Sequence, residues 1–521
     1  MLILITALLL FATALTLLVL RLVRPQFRFS WLIAVGVTFL AWITVILWRL
    51  SLPLSISFGT WGSADILPTA PTLAADQFSW IYAFSLTTLA LATLLTATVR
   101  QGFPDAGELS VSLAICGLGV LAVTAGNPLT LALIWAALDL AELITMLSAT
   151  GARGASGRVV AAFSMHAAAI ILLMLAQIAS GSPDKPAGDF ASIAPQAGLL
   201  LLAAAGLRLG VLPLHLPYVL GSGLRRGIGT NLRLSSAAAG LILLTRVPAA
   251  SLSSWVTILI LVVAGAAGLY ASWMWLRAPD ELAGRPFWII GLASLAVYSA
   301  LRGNPVGSAA WGSGLILAGA ALFLFSAQHI WLNRLLFTGA WVISALPFSL
   351  TATGWDGSGG VLLVGLPAFL IAQAMLMAGF VRHVIRPSAR TSLQSQPAWT
   401  RSVYPAGIVL LILVAVALGL WGWDGALALG AVLPGLIAAL LTLALLWAVP
   451  RFRILNPIPA HWLRPSTGAR LSRLTGGFAG AYRWLAGISQ MLSDVLEGEA
   501  GLMWTLLFLV LLIVLIVKRN P

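Results

Sequence analysis

The sequence predicts an all-α membrane protein, a polytopic transmembrane bundle of about 14 to 16 spans. Its residues are 60% hydrophobic and only 8% charged, whereas a soluble domain carries about 25% charged residues. Apolar runs of the roughly 20 residues needed to cross a bilayer recur from the first residue to residue 517. Runs such as 255–276 are apolar on nearly every face, unlike the short alternating segments of a β-barrel.

Candidate spans follow one another along the whole chain. The first begins at residue 2 without a basic region before it or a clear small-residue cleavage site after it, so we predict a retained span rather than a signal peptide. The predicted spans are residues 2–23, 31–50, 78–98, 109–126, 129–148, 159–180, 195–214, 234–248, 254–276, 286–301, 308–328, 329–350, 360–381, 403–422, 425–449 and 502–517.

Topology accounts for the basic character of the chain. The formal net charge of +14 would suggest a nucleic-acid partner in a soluble protein, but most arginines lie between the predicted spans. When alternate loops are assigned to one side, that side has 21 basic residues and the other has six, a strong positive-inside bias. We therefore predict a lipid-embedded protein of the prokaryotic cytoplasmic membrane, with both termini outside and no nucleic-acid partner. The single cysteine, Cys116, excludes an internal disulfide framework.

The C-terminal region differs from the rest of the chain. Residues 451–500 are polar enough to leave the membrane, and their apolar residues recur at helical spacing from 471 to 495. An amphipathic helix on the cytoplasmic surface and an irregular loop both fit this pattern, because Gly476 and Gly477 interrupt it. The predicted organisation is a transmembrane core at 1–450, a cytoplasmic-side amphipathic segment at 451–500 and a final span at 501–521.

Ionisable residues inside a bilayer are costly and therefore mark functional positions. Asp139 and Glu142 fall deep within a predicted span, and their spacing of three places them on one helix face. Two carboxylates this close cannot both ionise cheaply in a low dielectric, which makes one of them a candidate proton carrier. The alternative is a structural pair neutralised by an arginine of a neighbouring helix. Arg208 lies inside the seventh predicted span.

Prolines interrupt the seventh predicted span. Pro213 and Pro217 break the helix, and a break frees backbone carbonyls at membrane depth, which only protein or a water-filled cavity can cover. Transporters use such broken helices at their ion sites. His215 lies inside the break, and histidine is the side chain most readily protonated near neutral pH. His215, His166 and His329 are each candidates for an ion path or, alternatively, hydrogen-bonded packing residues.

The sequence contains no other recognisable catalytic or ligand-binding motif. It contains no Gly-rich phosphate loop, no metal-ligand cluster and no nucleophile elbow. We therefore predict no catalytic residue, no metal and no cofactor, so any redox chemistry would belong to partner proteins.

Residues from about 55 to 350 resemble the antiporter-like membrane subunits of respiratory complex I (NADH-quinone oxidoreductase), Mrp-type Na+/H+ antiporters and membrane-bound hydrogenases. Arg208 stands five positions before a Pro-Leu-His triplet, where the family has a lysine. The matching segments are 75–79 (ADQFS), 125–129 (AGNPL) followed by Trp135 and Asp139, Arg208 with 213–215 (PLH), 239–246 (AGLILLTR) and, more weakly, 329–337 (HIWLNRLLF).

The resemblance implies about fourteen core helices in two inverted repeats, each with a broken helix, and breaks at Pro213 and Pro347. It also implies partner membrane subunits in a multi-subunit complex and a proton relay through intramembrane lysines. The weaker match adds Arg334 as an ion-pathway candidate.

The lysines of that relay are replaced in this chain. Arg208 stands at the first position and Asn333 at the last, and the middle position is Leu232 or Ala238. Arginine keeps its proton, so it can bias a neighbouring carboxylate but cannot serve as a relay stop. Genome composition is an alternative cause, since arginine outnumbers lysine 27 to two.

The first hypothesis is a membrane subunit of a complex-I-like or Mrp-like assembly that moves protons or Na+. A carboxylate of the Asp139, Glu142 and Arg208 group would load and release a proton as Arg208 approaches or retreats. In a variant of this hypothesis the subunit has lost transport and only scaffolds the complex.

A polytopic glycosyltransferase with a polyprenyl-phosphate donor is the second hypothesis, but residues 24–30 lack the acidic residue such enzymes carry after the first span. A self-contained solute carrier is the third, and no substrate-specific polar cluster supports it.

Overall fold

The computed structural model of the chain describes residues 1–24, 27–59, 70–99, 104–149, 153–180, 189–218, 226–248, 254–357, 365–385, 391–423, 426–427 and 430–451. All of them belong to one unit, Met1–Pro457. The helices are α1 (Leu2–Val23), α2 (Ser30–Trp48), α3 (Gln77–Thr96), α4 (Ala106–Val123), α5 (Pro128–Ala149), α6 (Arg153–Ser180), α7 (Gly198–Arg208), α8 (Ile228–Leu244), α9 (Ser254–Arg277), α10 (Glu281–Leu301), α11 (Pro305–Leu324), α12 (Ile330–Val342), α13 (Leu366–Ile385), α14 (Ala398–Trp421) and α15 (Val432–Arg451).

The predicted all-α membrane fold is confirmed. Each of the fifteen spans predicted before residue 450 overlaps one helix, and eleven helices in the described part of the chain are long and apolar enough to cross a membrane. The chain is therefore an integral membrane protein. The predicted amphipathic segment at 451–500, apart from Arg451 at the end of α15, and the predicted final span at 501–521 lie outside the described residues.

Four helices begin five or six residues earlier than the hydropathy pattern predicts, and in two of them, α8 and α10, the added residues include buried charges. α8 begins at Ile228 rather than near 234, and α10 begins at Glu281 rather than near 286. Arg233, Arg285 and Glu281 are consequently buried inside helices, although the topology prediction assigned both arginines to loops. Hydropathy registers only the cost of a charge, whereas the fold supplies buried polar partners that offset this cost.

The centre of the bundle is formed by α3, α10 and α11, whose spans are about nine-tenths buried (89%, 89% and 94%). In the C-terminal half, aromatic rings from four helices fill the interior. The ring centroids of Trp275 and Trp288 lie 5.2 Å apart, those of Trp288 and Phe380 5.6 Å, and those of Trp275 and Phe323 6.2 Å. These contacts join α9, α10, α11 and α13 into an apolar core.

A short hairpin fixes the start of α5. Strand β1 (Leu54–Ser57) pairs antiparallel with β2 (Thr72–Ala75), and Gly126 N donates to Thr72 O at 2.8 Å. Asn127 then caps α5, because its Oδ1 accepts from Thr130 N at 2.8 Å while its Nδ2 donates to Ala70 O at 2.7 Å. The segment 125–129 thus sets the position of α5, which carries Asp139 and Glu142. Strands β3 (Ala327–Gln328) and β4 (Thr391–Ser392) form a second, parallel pair.

Two helices stop partway through the bundle. α7 has 11 residues and α12 has 13, so at 1.5 Å per residue they span about 17 and 20 Å, short of the roughly 30 Å hydrocarbon core. An irregular stretch with Pro213 and Pro217 follows α7, and another with Pro347 follows α12. The prolines predicted to break helices therefore lie outside helices.

Local hydrogen bonds satisfy the backbone at both breaks. After α7, the N–H groups of Val211 and Leu212 donate to Gly206 O at 2.8 and 3.0 Å. Gly210 has φ of +75°, and a Cβ there would lie 2.4 Å from His215 O, so the turn requires glycine. After α12, Thr351 Oγ1 donates to Val342 O at 3.0 Å. The freed carbonyls are thus covered by protein.

Tyr404 of α14 caps the chain after α11, and removing its hydroxyl tests that junction. Its oxygen accepts hydrogen bonds from Ser326 N at 2.6 Å and Ala327 N at 2.9 Å. Tyr404→Phe leaves both N–H groups without this acceptor, so we expect a loss of about 1–3 kcal/mol and a lower thermal unfolding midpoint in detergent. Tyr270→Phe, at a 47% exposed tyrosine, is the control and should leave the midpoint unchanged.

Candidate functional site

The first buried charge group joins α5 to the end of α7. Arg208 NH1 donates to Asp139 Oδ2 at 2.9 Å, and Arg208 NH2 donates to Asp139 Oδ1 at 2.6 Å. Each residue is 2% exposed. A bidentate arginine–carboxylate pair is the geometry with the strongest charge-assisted hydrogen bonds. Arg208 is also the last residue of α7, so the pair lies at the helix break.

Two further side chains hold this pair in place. His166 Nδ1 of α6 lies 3.0 Å from Asp139 Oδ1. The Arg208 guanidinium lies 4.6 Å from the ring centroid of Trp135, a cation–π contact, and Trp135 Nε1 donates to Ala239 O of α8 at 3.0 Å. The group therefore ties together α5, α6, α7 and α8.

Glu142 lies one helical turn beyond Asp139 in a different environment. Its Oε2 is buried without a hydrogen-bond partner, as is Nε2 of His166. Both side chains line a small cavity between α5 and α6, with room for about one water molecule, which Asp139 and Tyr218 also line. Of the two carboxylates predicted to share a helix face, one is thus tied to an arginine and the other faces open space.

A row of basic residues extends from this cavity toward α10. The Arg233 guanidinium of α8 lies 3.7 Å from the ring centroid of Tyr218. Arg285 NH1 donates to Thr230 Oγ1 at 3.3 Å. Arg226 NH2 donates to Glu281 Oε1 at 2.5 Å, and that ion pair ends the row. Arg285 interacts electrostatically with Tyr218, Arg233 and Arg226, so the row is continuous.

Cations outnumber carboxylates in this interior. Four arginines face three acidic residues, and Asp280, which also interacts with Arg285, is exposed. Within the described residues the arginines are Arg208, Arg226, Arg233 and Arg285, and the acidic residues are Asp139, Glu142 and Glu281.

This surplus does not suit a metal cation. Asp139, Glu142 and His166 each offer one potential ligand atom, and these atoms all lie within 4.8 Å of one another. However, Asp139 is already bonded to Arg208, and a further cation would add to an existing excess of positive charge. The arrangement fits proton transfer instead, because a carboxylate and an imidazole within reach of one bridging water can share a proton.

The other predicted ion-pathway residues lie elsewhere. His215 is half-buried and its Nδ1 lies 2.8 Å from Pro213 O, within its own break. His329 precedes α12, with its ring centroid 6.0 Å from that of Trp331, and Arg334 is exposed on α12. α12 packs against α11, α13 and α14, whereas α5 packs against α4, α6 and α8. The fold therefore brings together Asp139, Glu142, His166 and Arg208, with His215 close enough to interact electrostatically with His166, and leaves His329 and Arg334 apart.

The sequence reasoning missed the rest of the row. Arg226 lies in the middle of a predicted loop, and Arg233, Arg285 and Glu281 lie within five residues of a predicted span start, so all four were assigned to loops. Tyr218 directly follows Pro217, the second proline of the break, and no sequence pattern marked it as a site residue. The early helix starts of α8 and α10, which put these charges in the interior, have no counterpart in the hydropathy pattern.

Solved structures share this fold along most or all of the chain. One chain of the Mrp complex from Dietzia sp. DQ12-45-1b superimposes with a TM-score of 0.70 at 14% identity, covering 100% of this chain and 63% of that chain. The chain has the antiporter-like subunit fold. It thus spans under two thirds of the length of that Mrp-complex chain.

Two further structures have the antiporter-like fold along nearly their whole length. A chain of the membrane-bound sulfane sulfur reductase, an archaeal respiratory membrane complex, has a TM-score of 0.59 at 14% identity, covering 98% of this chain and 99% of that chain. A chain of respiratory complex I from Thermus thermophilus with bound aureothin has a TM-score of 0.56 at 19% identity, covering 82% and 99%. No protein-family model and no curated protein matches the sequence.

The Asp139–Arg208 pair can be tested by a double-mutant cycle. Arg208→Met leaves a buried carboxylate without its arginine, so we expect a loss of about 3–5 kcal/mol in unfolding free energy. Adding Asp139→Leu in the same chain should recover most of that loss, because both charges are then gone.

The control for this cycle is Arg21→Met, measured as the others by thermal unfolding in detergent. Arg21 and Asp105 form an ion pair at 3.3 Å with both side chains more than half exposed, so removing it should have little effect. Equal destabilisation by Arg21→Met and Arg208→Met would contradict a stabilising buried pair.

Proposed function

We propose that the chain is a membrane subunit of a multi-subunit assembly of the Mrp or complex I type, and that it takes up protons through Glu142. The observation that carries the proposal is Glu142 Oε2, which is buried without a hydrogen-bond partner in a side chain that lines a cavity beside the Asp139–Arg208 pair. The antiporter-like fold supports the assembly part of the proposal, because its neighbours are chains of multi-subunit membrane complexes.

Asp139 acts as a fixed charge in this proposal. Arginine remains protonated in proteins, and two hydrogen bonds from Arg208 keep the Asp139 carboxylate ionised. The pair is neutral as a whole and holds His166 by its Nδ1. Its role is to orient the imidazole so that Nε2 remains available to the cavity.

Glu142 and His166 are the proton-accepting groups. A proton entering the cavity binds the Glu142 carboxylate or His166 Nε2, and one bridging water can pass it between them. Arg208 and Arg233 line a pocket together with Glu142, so their positive charges lie close to its carboxylate. Neutralising Glu142 raises the surplus of positive charge, so loading requires a change elsewhere.

The α7 break provides that change. Arg208 is the last helical residue before the irregular stretch that contains Pro213, so a rearrangement of the stretch moves the guanidinium. Arg208 and Glu142 line the same pocket, so a movement of Arg208 away from α5 and back changes the charge beside the Glu142 carboxylate. This is the predicted approach and retreat of Arg208, with Glu142 rather than Asp139 as the group that titrates.

Protons fit this group better than Na+. The region already has more cations than carboxylates, and an imidazole nitrogen is a poor ligand for a hard monovalent cation. A proton forms a bond with the carboxylate itself and needs no cage of oxygen ligands.

A non-conducting scaffold is the second candidate function, and one observation favours it. The helices around the second break, α11 to α14, contain no Asp or Glu. Aromatic rings fill the neighbouring interior instead. A proton path that needs a titratable carboxylate in both halves of the bundle would therefore end at the Arg226–Glu281 ion pair.

Glu142→Gln distinguishes these two functions. It keeps the size of the side chain but removes the titratable proton, so we expect proton flux into proteoliposomes containing the native assembly to fall roughly tenfold or more. Glu108→Gln, at an exposed acid in the first turn of α4, is the matched control and should leave flux unchanged. Undiminished flux in Glu142→Gln with normal assembly would support the scaffold role.

The assembly part is tested by purification of the tagged chain in mild detergent from its native cytoplasmic membrane. We expect antiporter, hydrogenase or quinone-reductase subunits to co-migrate with it. A chain that migrates alone and acts on lipid-linked sugars or a solute would contradict the proposal. Reporter fusions at residues 1 and 521 would test the proposed external location of both termini.

A further inference from the structure

The outer face of α12 has one arginine within an apolar surface. Ile330, Trp331, Arg334 and Phe337 are all exposed, and their spacing places them on one side of the helix. The three apolar residues of this face have exposed fractions of 66%, 41% and 39%. Arg334 was predicted as an ion-pathway residue, but its side chain faces away from the bundle interior.

An arginine on the outer side of a membrane helix needs an anion. Charged residues within membrane spans almost always face the bundle interior or pair with an opposite charge, because an isolated charge in hydrocarbon is costly. α12 packs against α11, α13 and α14, and none of these four helices contains Asp or Glu. The anion for Arg334 therefore has to come from outside these helices.

The level of Arg334 along α12 favours a lipid headgroup as that anion. α12 begins at Ile330, so at 1.5 Å per residue the Cα of Arg334 lies about 6 Å from the helix start. Helix side chains tilt toward the N-terminus, and an arginine near a helix end can extend its guanidinium to the interface while its stem stays on apolar surface. Arg334 can thus reach lipid phosphates at this end of the helix.

Neighbouring elements mark this end of α12 as a membrane interface. Strand β3 shortly precedes α12 and strand β4 shortly precedes α14, and the two strands pair, so both helices begin at the same end of the bundle. The second residue of each helix is an exposed tryptophan, Trp331 and Trp399. Tryptophan is enriched at the level of lipid headgroups, so both rings fit that location.

We propose that the outer face of α12 binds an anionic phospholipid, with its phosphate on Arg334, its headgroup beside Trp331 and its acyl chains on Phe337. A zwitterionic headgroup fits less well, because its ammonium finds no carboxylate on α11 to α14 and lies close to Arg334. Arg401, exposed in the first turn of α14, adds positive charge at the same end. This lipid site goes beyond the proposed function, which does not use Arg334.

The test is a lipid titration of the native assembly, purified in a nonionic detergent. The thermal unfolding midpoint is followed against phosphatidylglycerol and, separately, against phosphatidylcholine with the same acyl chains. We expect phosphatidylglycerol to raise the midpoint at about fivefold lower concentration than phosphatidylcholine. Equal effects of the two lipids would overturn the proposal.

Variants of exposed arginines assign the effect to α12. Arg334→Gln removes the charge from the outer face, so we expect about fivefold weaker binding of phosphatidylglycerol, whereas Arg334→Lys should keep most of the affinity. Arg28→Gln, at an exposed arginine between α1 and α2, is the matched control and should bind this lipid as the wild type does. Equal weakening by Arg334→Gln and Arg28→Gln would indicate a general effect of surface charge and would overturn the site on α12.

A carboxylate of a partner subunit is the other source of an anion for Arg334. In that case Arg334→Gln would release the subunit from the assembly and leave phosphatidylglycerol binding unchanged, which would also overturn the lipid site. Size-exclusion chromatography of the variant assembly, with mass spectrometry of the lipids that co-purify, separates the two cases. We expect an intact assembly that retains less phosphatidylglycerol than the wild type.

Discussion

The interior of the N-terminal half depends on one ion pair, between Asp139 and Arg208. Burying either charge alone in a bilayer is costly, but two short hydrogen bonds and a neighbouring imidazole offset that cost. The pair also joins α5 to the end of α7, so it fixes the helix carrying Glu142 against the helix that breaks. The geometry of the space around Glu142 follows from this connection.

The residues that surround the two broken helices, α7 and α12, differ in kind. Beside α7, the interior contains arginines, carboxylates and space. Beside α12, a hydrogen-bonded turn closes the break, in which Thr351 bonds to the end of the helix and Gln373 Nε2 donates to Ile343 O at 3.1 Å. Aromatic rings fill the volume between α9, α10, α11 and α13. Buried charges therefore lie beside the first break, and aromatic rings lie beside the second.

Much of the candidate site was predictable because charge inside an apolar span stands out in a sequence. Asp139, Glu142 and Arg208 were found in this way, and the prolines of the break were found by their effect on helices. Arg233, Arg285 and Glu281 were missed because a charge near the end of an apolar run looks like the end of the span. Their burial depends on partners from other helices, such as Tyr218 and Thr230, which no local pattern reveals.

The sequence by itself determined that the chain is an integral membrane bundle, where α1 to α15 lie to within eight residues, and which span contains two acidic residues. Those properties follow from local composition and from the length needed to cross a bilayer. Only the tertiary structure decided that Asp139 is bound to Arg208 while Glu142 faces a cavity. Residues three apart share a helix face, so the choice between them depends on where the end of α7 and the side of α6 meet that face.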